Sequence, residues 1–213
     1  MPRPYPGHFF SLEGPDGGGK TTQARLLVEW LRSFCPQVVA CHDPGGTDLG
    51  DRLRSILLDR SNTAISLRAE MLLYMASRAQ LVEEVIRPAL QAGAIVVSDR
   101  YLLSTLVYQG MAGGLDPEEI WTVGRSATGG LMPDLTVVID VPLELAQARV
   151  GKPRDRIEDR PDTYRQRVRE GYLEAIRTLD IPHVLIDGSA EPDIVAGHIR
   201  DEVARALGIT PRS

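Results

Sequence analysis

Short apolar runs alternate along the chain with longer stretches in which apolar residues recur every three or four positions. The short runs are rich in Val, Ile, Leu or Phe, are bounded by Gly, Pro or Asp, and cover residues 8–13, 37–42, 95–99, 135–140 and 183–187. Runs of four to six such residues predict β-strands. Their apolar character is nearly continuous instead of alternating, which is typical of strands buried on both faces of a parallel sheet.

The stretches between these runs have the period of amphipathic helices. The clearest stripes are formed by Ala24, Leu27, Val28 and Leu31, by Met71, Tyr74, Met75, Val82, Val85, Ile86 and Ala89, by Val168, Tyr172, Ala175, Ile176 and Leu179, and by residues 194–207. Strands joined by helices predict a parallel sheet covered on both faces. We therefore expect residues 1–213 to form one α/β domain in three layers, with a five-stranded parallel sheet surrounded by helices.

Composition narrows the class of protein. Apolar residues make up 43% of the chain and charged residues 25%, which is typical of a folded globular protein and excludes wholesale disorder. No apolar run approaches the roughly 18 residues of a membrane span, and the net charge of −5 argues against a nucleic-acid or anionic-membrane partner. Two cysteines do not make a disulfide framework, and the start of the chain lacks the apolar stretch of a signal peptide, so we expect a cytoplasmic protein.

The loop after the first predicted strand carries the sharpest motif. Residues 14–21 read Gly-Pro-Asp-Gly-Gly-Gly-Lys-Thr and fit G-x-x-x-x-G-K-[ST], with a predicted helix behind them. Such a loop cradles phosphates with its backbone N–H groups, while its Lys reaches the β- and γ-phosphates and its Thr hydroxyl ligates Mg²⁺. Lys20 is one of only two lysines in the chain, which favours this interpretation over a glycine-rich turn that binds nothing. The expected ATP site consists of Gly14, Pro15, Asp16, Gly17, Gly18, Gly19, Lys20, Thr21 and Thr22.

Several classes of phosphate-loop protein can be distinguished by sequence. A GTPase would show an Asn-Lys-x-Asp motif, but the single asparagine, Asn62, has no lysine near it. Motor ATPases are larger, and their apolar run ends in Asp-Glu, whereas the run ending at Asp140 continues into Val-Pro. The length of 213 residues and the basic segment near residue 150 favour a small P-loop NTPase-fold kinase with a small basic lid at about 149–162.

Four separated motifs follow one another along the chain, and the likeness that rests on them spans nearly its whole length. They are residues 11–22, Pro44-Gly-Gly-Thr with Leu49 and Arg54, Asp99-Arg-Tyr with Ser104, Tyr108 and Gln109, and Asp155-Arg-Ile-Glu158. Together they resemble the motifs of bacterial thymidylate kinases. The resemblance implies an enzyme that uses ATP and Mg²⁺ to phosphorylate dTMP to dTDP in dTTP biosynthesis. It also implies a homodimer formed through residues 49–58 and the long helix. The alternatives are a related kinase acting on another nucleotide or deoxynucleoside, and a non-catalytic ATP-binding module.

Arg78 stands out without any resemblance, because it falls on the apolar stripe of the long helix, three residues after Met75 and four before Val82. A buried charge must be paired, so Arg78 is either a core arginine with a satisfied partner or part of a polar pocket. The resemblance implies the second role: Arg78 contacts the thymine base and Tyr74 stacks on it.

The resemblance also implies roles for other residues. Asp16 meets the 3′-hydroxyl of the substrate, although from the sequence alone it could instead accept hydrogen bonds from the loop amides or cap the next helix. Arg54, which could otherwise form a surface salt bridge, and Arg100 hold the monophosphate; Asp99 joins Thr21 at the metal. The expected substrate site consists of Asp16, Arg54, Tyr74, Arg78, Arg100, Thr105, Tyr108 and Gln109, and Arg149 is expected to stack on adenine.

The charge that neutralises the transferring phosphoryl group is expected from the lid. Gly17 and Gly18 bring no basic side chain to the loop, which by resemblance implies the class of thymidylate kinases that supplies an arginine from the lid. Lys152, Arg154 and Arg156 all remain candidates for this role. The expected catalytic residues are Lys20, Asp99, Arg100, Arg154 and Arg156.

Overall fold

The computed structural model describes residues 4–60, 64–150 and 155–210, and the statements below concern these ranges. Its centre is a parallel sheet in the order β2-β3-β1-β4-β5. The strands are β1 (His8–Glu13), β2 (Val38–His42), β3 (Ile95–Asp99), β4 (Leu135–Asp140) and β5 (His183–Asp187). This confirms the predicted fold class, and only β2 differs from its predicted run, by one residue.

Helices cover both faces of the sheet. They are α1 (Lys20–Arg32), α2 (Asp48–Leu58), α3 (Leu67–Leu81), α4 (Arg87–Gln91), α5 (Leu102–Thr105), α6 (Pro117–Thr128), α7 (Leu143–Val150), α8 (Asp162–Thr178) and α9 (Pro192–Leu207). The long predicted helix is α3 and α4 joined by a π-helical segment, Val82–Ile86. Pro88 explains this wider turn, because it lacks an N–H and its ring crowds the preceding carbonyl groups.

The core lies on both faces of the sheet, which explains the continuous apolar runs. Phe9 and Val96 pack with α3, α5 and α8 on one face, whereas their chain neighbours Phe10 and Val97 pack with α1 and α9 on the other. Successive strand residues point to opposite faces, so a strand covered on both sides needs apolar residues at every position.

The carboxyl ends of the central strands meet at one edge. Leu12 and His42, near the ends of β1 and β2, are both paired with Asp99 of β3. Parallel α/β sheets bind ligands outside this edge, because the loops that leave the strands there form a crevice. Among the described helices, none has the length and apolar character needed to cross a bilayer.

Candidate active site

The glycine-rich loop joins β1 to α1 and forms the floor of a cleft of about 1390 Å³. Gly14, Gly17 and Gly19 have φ values of 138°, 80° and 87°, which side chains with a Cβ rarely adopt. Helix α1 begins directly after them at Lys20. The loop therefore presents a helix N-terminus and a curled backbone to the cleft, the arrangement that binds phosphate.

Lys20 lies in the wall of this cleft, and none of the acidic side chains in the described ranges forms an ion pair with it. Its Nζ donates to the carbonyl oxygen of Pro15 at 2.7 Å, and the residue is 6% exposed. Burial and the nearby Arg100 lower the pKa of the Lys20 amine to about 8, although Asp16 and Asp99 oppose the change. A cation held this way gains a strong partner when an anion enters the cleft.

Thr21 and Asp99 supply oxygen ligands beside the loop. The Thr21 hydroxyl donates to Oδ2 of Asp99 at 2.6 Å, and both residues line the cleft. The described residues contain no group of three or more metal-binding side chains. Two oxygen donors fit Mg²⁺ bound mainly by water and substrate phosphates, as is usual in phosphoryl-transfer enzymes.

Arg100 lies at the centre of the site. It follows Asp99 with φ 72°, the only positive φ at a non-glycine position in the described chain. Its Nη1 donates to the Gly14 carbonyl at 3.0 Å, and its Nη2 forms an ion pair with Asp16. The guanidinium also lies 5.1 Å from the centre of the Tyr108 ring. These contacts fix the side chain at the mouth of the phosphate loop.

Asp16 is the ion-pair partner of Arg100 in the phosphate loop. Tyr108 donates its hydroxyl to Oδ2 of Asp16 at 2.9 Å, in addition to the ion pair with Arg100. Although burial acts in the opposite direction, Arg100 and Lys20 hold the pKa of the Asp16 carboxyl below its usual value. An ionised acceptor therefore lies within the phosphate loop, suited to a hydroxyl group of a ligand.

A second cavity of about 100 Å³ opens beside Asp16. All eight expected substrate residues line it: Asp16, Arg54, Tyr74, Arg78, Arg100, Thr105, Tyr108 and Gln109. They come from the phosphate loop, α2, α3 and the segment that follows β3, so the fold brings together residues that are distant in sequence. The sequence alone could not show that these eight residues line one cavity.

Arg78 is both buried and paired. Its Nε forms an ion pair with Asp43, and its Nη2 donates to Thr105 Oγ1 at 2.9 Å and to the Tyr101 carbonyl at 3.2 Å. Asp43 Oδ1 is buried and has no hydrogen-bond partner within the part of the chain that the structure describes. Burial raises the pKa of this carboxyl even though Arg78 opposes the change. The two alternatives for Arg78 are therefore combined: it has a partner, and it lines a polar cavity.

The other cavity residues are also held by hydrogen bonds. Arg54 donates to the Pro44 carbonyl at 2.8 Å and has no acidic partner among the described ion pairs. The alternative that Arg54 forms a surface salt bridge is therefore not observed among the described residues. Gln109 Nε2 donates to Glu70 Oε1 at 2.8 Å. Tyr74 and Thr105 lie in the same wall.

The described part of the lid is attached to α3. Arg156 Nη2 donates to Glu70 Oε2 at 2.7 Å and to the Leu57 carbonyl at 3.1 Å, and Arg160 Nη2 reaches both Glu70 oxygens at 2.8 Å. The side chain of Arg156 is thus directed to Glu70. The other two lid candidates, Lys152 and Arg154, lie outside the described residues.

Arg149 lies at the opposite side of the cleft, in the last turn of α7. Its Nη1 donates to the Gly188 carbonyl at 2.9 Å, and both residues line the cleft. The loop after β5 and the start of the lid therefore share one wall near the phosphate loop.

Three buried side chains that lie next to the site were not predicted from the sequence. Glu13 ends β1, Glu70 lies on α3, and Tyr172 of α8 appeared only as a core residue. Glu70 had a signal, because it precedes Tyr74 and Arg78 at intervals of four residues and so shares their helix face. Glu13 had a weaker signal, a carboxylate at the end of an otherwise apolar strand.

The parallel sheet and the succession of strand, phosphate loop and helix are those of an α/β nucleotide-binding protein. The family model described as thymidylate kinase matches residues 12–199. Curated relatives named thymidylate kinase include that of Caldanaerobacter subterraneus subsp. tengcongensis, which is 47% identical over 87% of this chain and 89% of its own length. That of Thermoanaerobacter sp. (strain X514) is 45% identical over 94% of this chain and 99% of its own length. The Rhodopirellula baltica protein is 42% identical over 91% and 78%, respectively. The chain therefore belongs to the thymidylate kinase family.

Proposed function

We propose that this protein transfers the γ-phosphoryl group of ATP to dTMP, giving dTDP for dTTP biosynthesis. The observation that carries the proposal is the relation between the two cavities. The phosphate-loop cleft and the smaller cavity share Asp16, Arg54 and Arg100 as lining residues. A donor nucleotide in the first and an acceptor nucleotide in the second would meet at these side chains, as in-line phosphoryl transfer requires.

On the donor side, the loop from Gly14 to Thr22 would hold the phosphates of ATP. The N–H groups at the start of α1 and the Lys20 ammonium supply positive charge. Burial and the nearby Arg100 lower the pKa of Lys20 to about 8, so an anion beside its amine would be favourable. Arg149 and the loop at Gly188 line the same cleft and would contact adenine.

On the acceptor side, the smaller cavity offers partners for each part of dTMP. Arg78, Tyr74, Thr105 and Gln109 would face the base. Arg54 and Arg100 carry planar donor groups that match phosphate oxygens. Asp16 would accept a hydrogen bond from the 3′-hydroxyl, and Tyr108 beside it would crowd a ribose 2′-hydroxyl.

Thr21 and Asp99 would hold Mg²⁺ together with phosphate oxygens and water. Bound there, the ion neutralises charge on the β- and γ-phosphates. Lys20 and Arg100 would add positive charge on either side of the transferring group. Phosphoryl transfer needs no covalent intermediate on the protein, so catalysis consists of positioning and electrostatic stabilisation.

The lid, at about 149–162, would complete this charge with Lys152, Arg154 or Arg156. Arg156 would have to release Glu70 and the Leu57 carbonyl before it could reach the cleft. Substitution of the three residues one at a time decides which of them acts.

The chain is proposed to act as one domain and as a cytoplasmic homodimer. Support for the dimer comes from α2 and α3, which pack together and leave Leu49, Ile56 and Leu72 about half exposed. Large apolar side chains in such numbers on neighbouring helices are typical of a covered surface. Sedimentation equilibrium should give twice the mass of the chain, and Ile56→Glu should shift it to the monomer.

Product analysis tests the reaction itself. Purified protein is incubated with ATP, Mg²⁺ and dTMP, and the nucleotides are separated by anion-exchange chromatography. We expect dTDP and ADP in equal amounts. ADP without dTDP would show hydrolysis or an inactive acceptor site and would contradict the proposal.

A further inference from the structure

Glu13 is a buried carboxylate that the proposed reaction does not use. It is completely inaccessible to solvent, and it lines neither the phosphate-loop cleft nor the smaller cavity. A carboxylate in such a place is costly unless donors surround it. Its donors are the backbone of Tyr101 and the hydroxyls of Ser104 and Tyr172.

All three hydrogen-bond donors of Glu13 are neighbours of Arg100. Tyr101 directly follows Arg100, and the hydroxyls of Ser104 and Tyr172 accept from Arg100 Nη1 at 2.9 Å and 3.1 Å. We infer that Glu13 is a positioning residue for Arg100, fixing both its backbone and its guanidinium for the acceptor phosphate. This inference rests on the proposed function.

The backbone contact holds an unfavourable conformation. Arg100 has φ 72°, which costs an ordinary side chain free energy unless surrounding contacts impose it. Glu13 Oε1 accepts the N–H of Tyr101, the next residue, at 2.8 Å, and the N–H of Arg100 itself is bound to the Leu12 carbonyl at 2.9 Å. The end of β1 thereby determines how the chain leaves β3.

The side-chain contacts set the direction of two hydroxyl groups. A hydroxyl has one hydrogen, and if it donates that hydrogen to Glu13, only its lone pairs remain for Arg100. Ser104 and Tyr172 both lie between Glu13 Oε2 and Arg100 Nη1. Ser104 donates to Oε2, and the single Tyr172 hydrogen is shared between the Ser104 oxygen at 2.8 Å and Oε2 at 3.3 Å, so neither hydrogen points at Arg100. An ionised Glu13 therefore makes both hydroxyls acceptors on the side that faces the guanidinium.

This inference predicts different effects on the binding of the acceptor nucleotide and on the binding of ATP. Arg100 lines both cavities, but the direct hydrogen bonds of Lys20 and Thr21 go to Pro15 and Asp99 and not to Glu13. Loss of the Glu13 charge should therefore weaken binding of the acceptor nucleotide much more than binding of ATP, because Lys20, Thr21 and the loop backbone keep their own contacts. A residue needed only for folding would affect both nucleotides or neither.

Glu13→Gln is the direct test, because glutamine keeps the shape and one oxygen acceptor. Its N–H₂ group would face hydroxyls that now have to reverse, so that their hydrogens point at Arg100. We expect the dTMP KM to rise about tenfold or more with kcat reduced, and the ATP KM to stay within about twofold. Burial raises the pKa of Glu13 to about 7, so the assays are run at about pH 8.5, where the wild-type carboxylate is ionised.

Tyr172→Phe is the second variant, because it removes one hydroxyl and keeps the ring packed in the core. We expect a smaller rise in the dTMP KM with the same unchanged ATP KM. Glu174→Gln, an isosteric change on the exposed face of α8, is the matched control and should change neither constant.

Dissociation constants for dTMP, measured by calorimetry, complete the test. In an Arg100→Ala background, Glu13→Gln should weaken dTMP binding by no more than about twofold further, because its effect passes through Arg100. Full additivity of the two substitutions, or an equal loss of ATP and dTMP binding, would overturn the inference. Failure of the wild-type protein to phosphorylate dTMP would instead overturn the proposed function, so the two results are distinguishable.

Discussion

Asp43 and Arg78 form an ion pair from which solvent is almost excluded: the side chains are 0% and 1% exposed. Asp43 follows β2 and Arg78 lies on α3, so the pair joins the loop after one strand to the long helix. The loop is also fastened by the N–H of Gly45, which donates to Ser77 Oγ at 3.0 Å. One ion pair thus orients the arginine proposed to face the base and docks the loop beside it.

Arg78→Met should therefore destabilise the fold as well as weaken dTMP binding. The variant leaves Asp43 buried without its charge partner, which typically costs about 3–5 kcal/mol. Urea denaturation should show this loss in the free energy of unfolding. The double variant Asp43→Ala with Arg78→Met should recover a large part of it, because no unpaired buried charge remains. A single-variant loss below about 1 kcal/mol would contradict the buried pair.

Lys20→Ala should separate binding of ATP from turnover. The backbone N–H groups of the phosphate loop remain in this variant, so the ATP dissociation constant should rise modestly. Turnover should fall steeply, because the ammonium group is proposed to stabilise charge that develops on the transferring phosphoryl group. Full activity in the variant would show that the loop has no part in catalysis.

The pKa of Lys20 predicts proton uptake when ATP binds. At pH 8 the amine, with a pKa of about 8, is close to half protonated in the free protein. Phosphate groups beside it raise the pKa, so ATP binding should take up a fraction of a proton, on the order of one half.

Calorimetry of ATP binding in buffers of different ionisation enthalpy measures this uptake. Lys20→Arg is the control, because arginine stays protonated at this pH and should abolish the Lys20 contribution. Equal proton uptake by the wild type and Lys20→Arg would show that another group is responsible.

The sequence predicted the fold well because its signals are local. Continuous apolar runs identified the strands, and the phosphate-loop motif identified one ligand site. What it could not supply was long-range pairing. The contact between Glu70 and Arg156 joins residues 86 positions apart, and that between Glu13 and Tyr172 joins residues 159 positions apart. In neither pair does the sequence around one residue indicate which distant residue it contacts.

The three lid candidates should differ sharply on substitution. A basic side chain that neutralises the transition state is worth about 10³–10⁵ in turnover in phosphoryl-transfer enzymes. Alanine at the acting position, Lys152, Arg154 or Arg156, should lower kcat at least about a hundredfold with little change in the dTMP KM. If Arg156 serves only to fasten the lid to Glu70, then Arg156→Ala and Glu70→Gln should have similar and smaller effects.

Arg167→Ala, on the exposed face of α8, is the control for these variants and should be nearly silent. The lid contribution would be refuted if alanine at residues 152, 154 and 156, singly and together, left kcat within a few-fold of the wild type. The phosphate-loop assignment would survive that result.

Acceptor selectivity tests the central claim most directly. A coupled assay of ADP release gives kcat/KM for dTMP, AMP, CMP and GMP under identical ATP and Mg²⁺ concentrations. The pocket around Arg78, Thr105 and Gln109 is proposed to recognise thymine by hydrogen bonds, and a site built this way rejects mismatched bases strongly. We expect kcat/KM for dTMP to exceed that for each of the other three nucleotides by about a hundredfold or more. Equal turnover of dTMP and any one of them would contradict a thymidylate kinase.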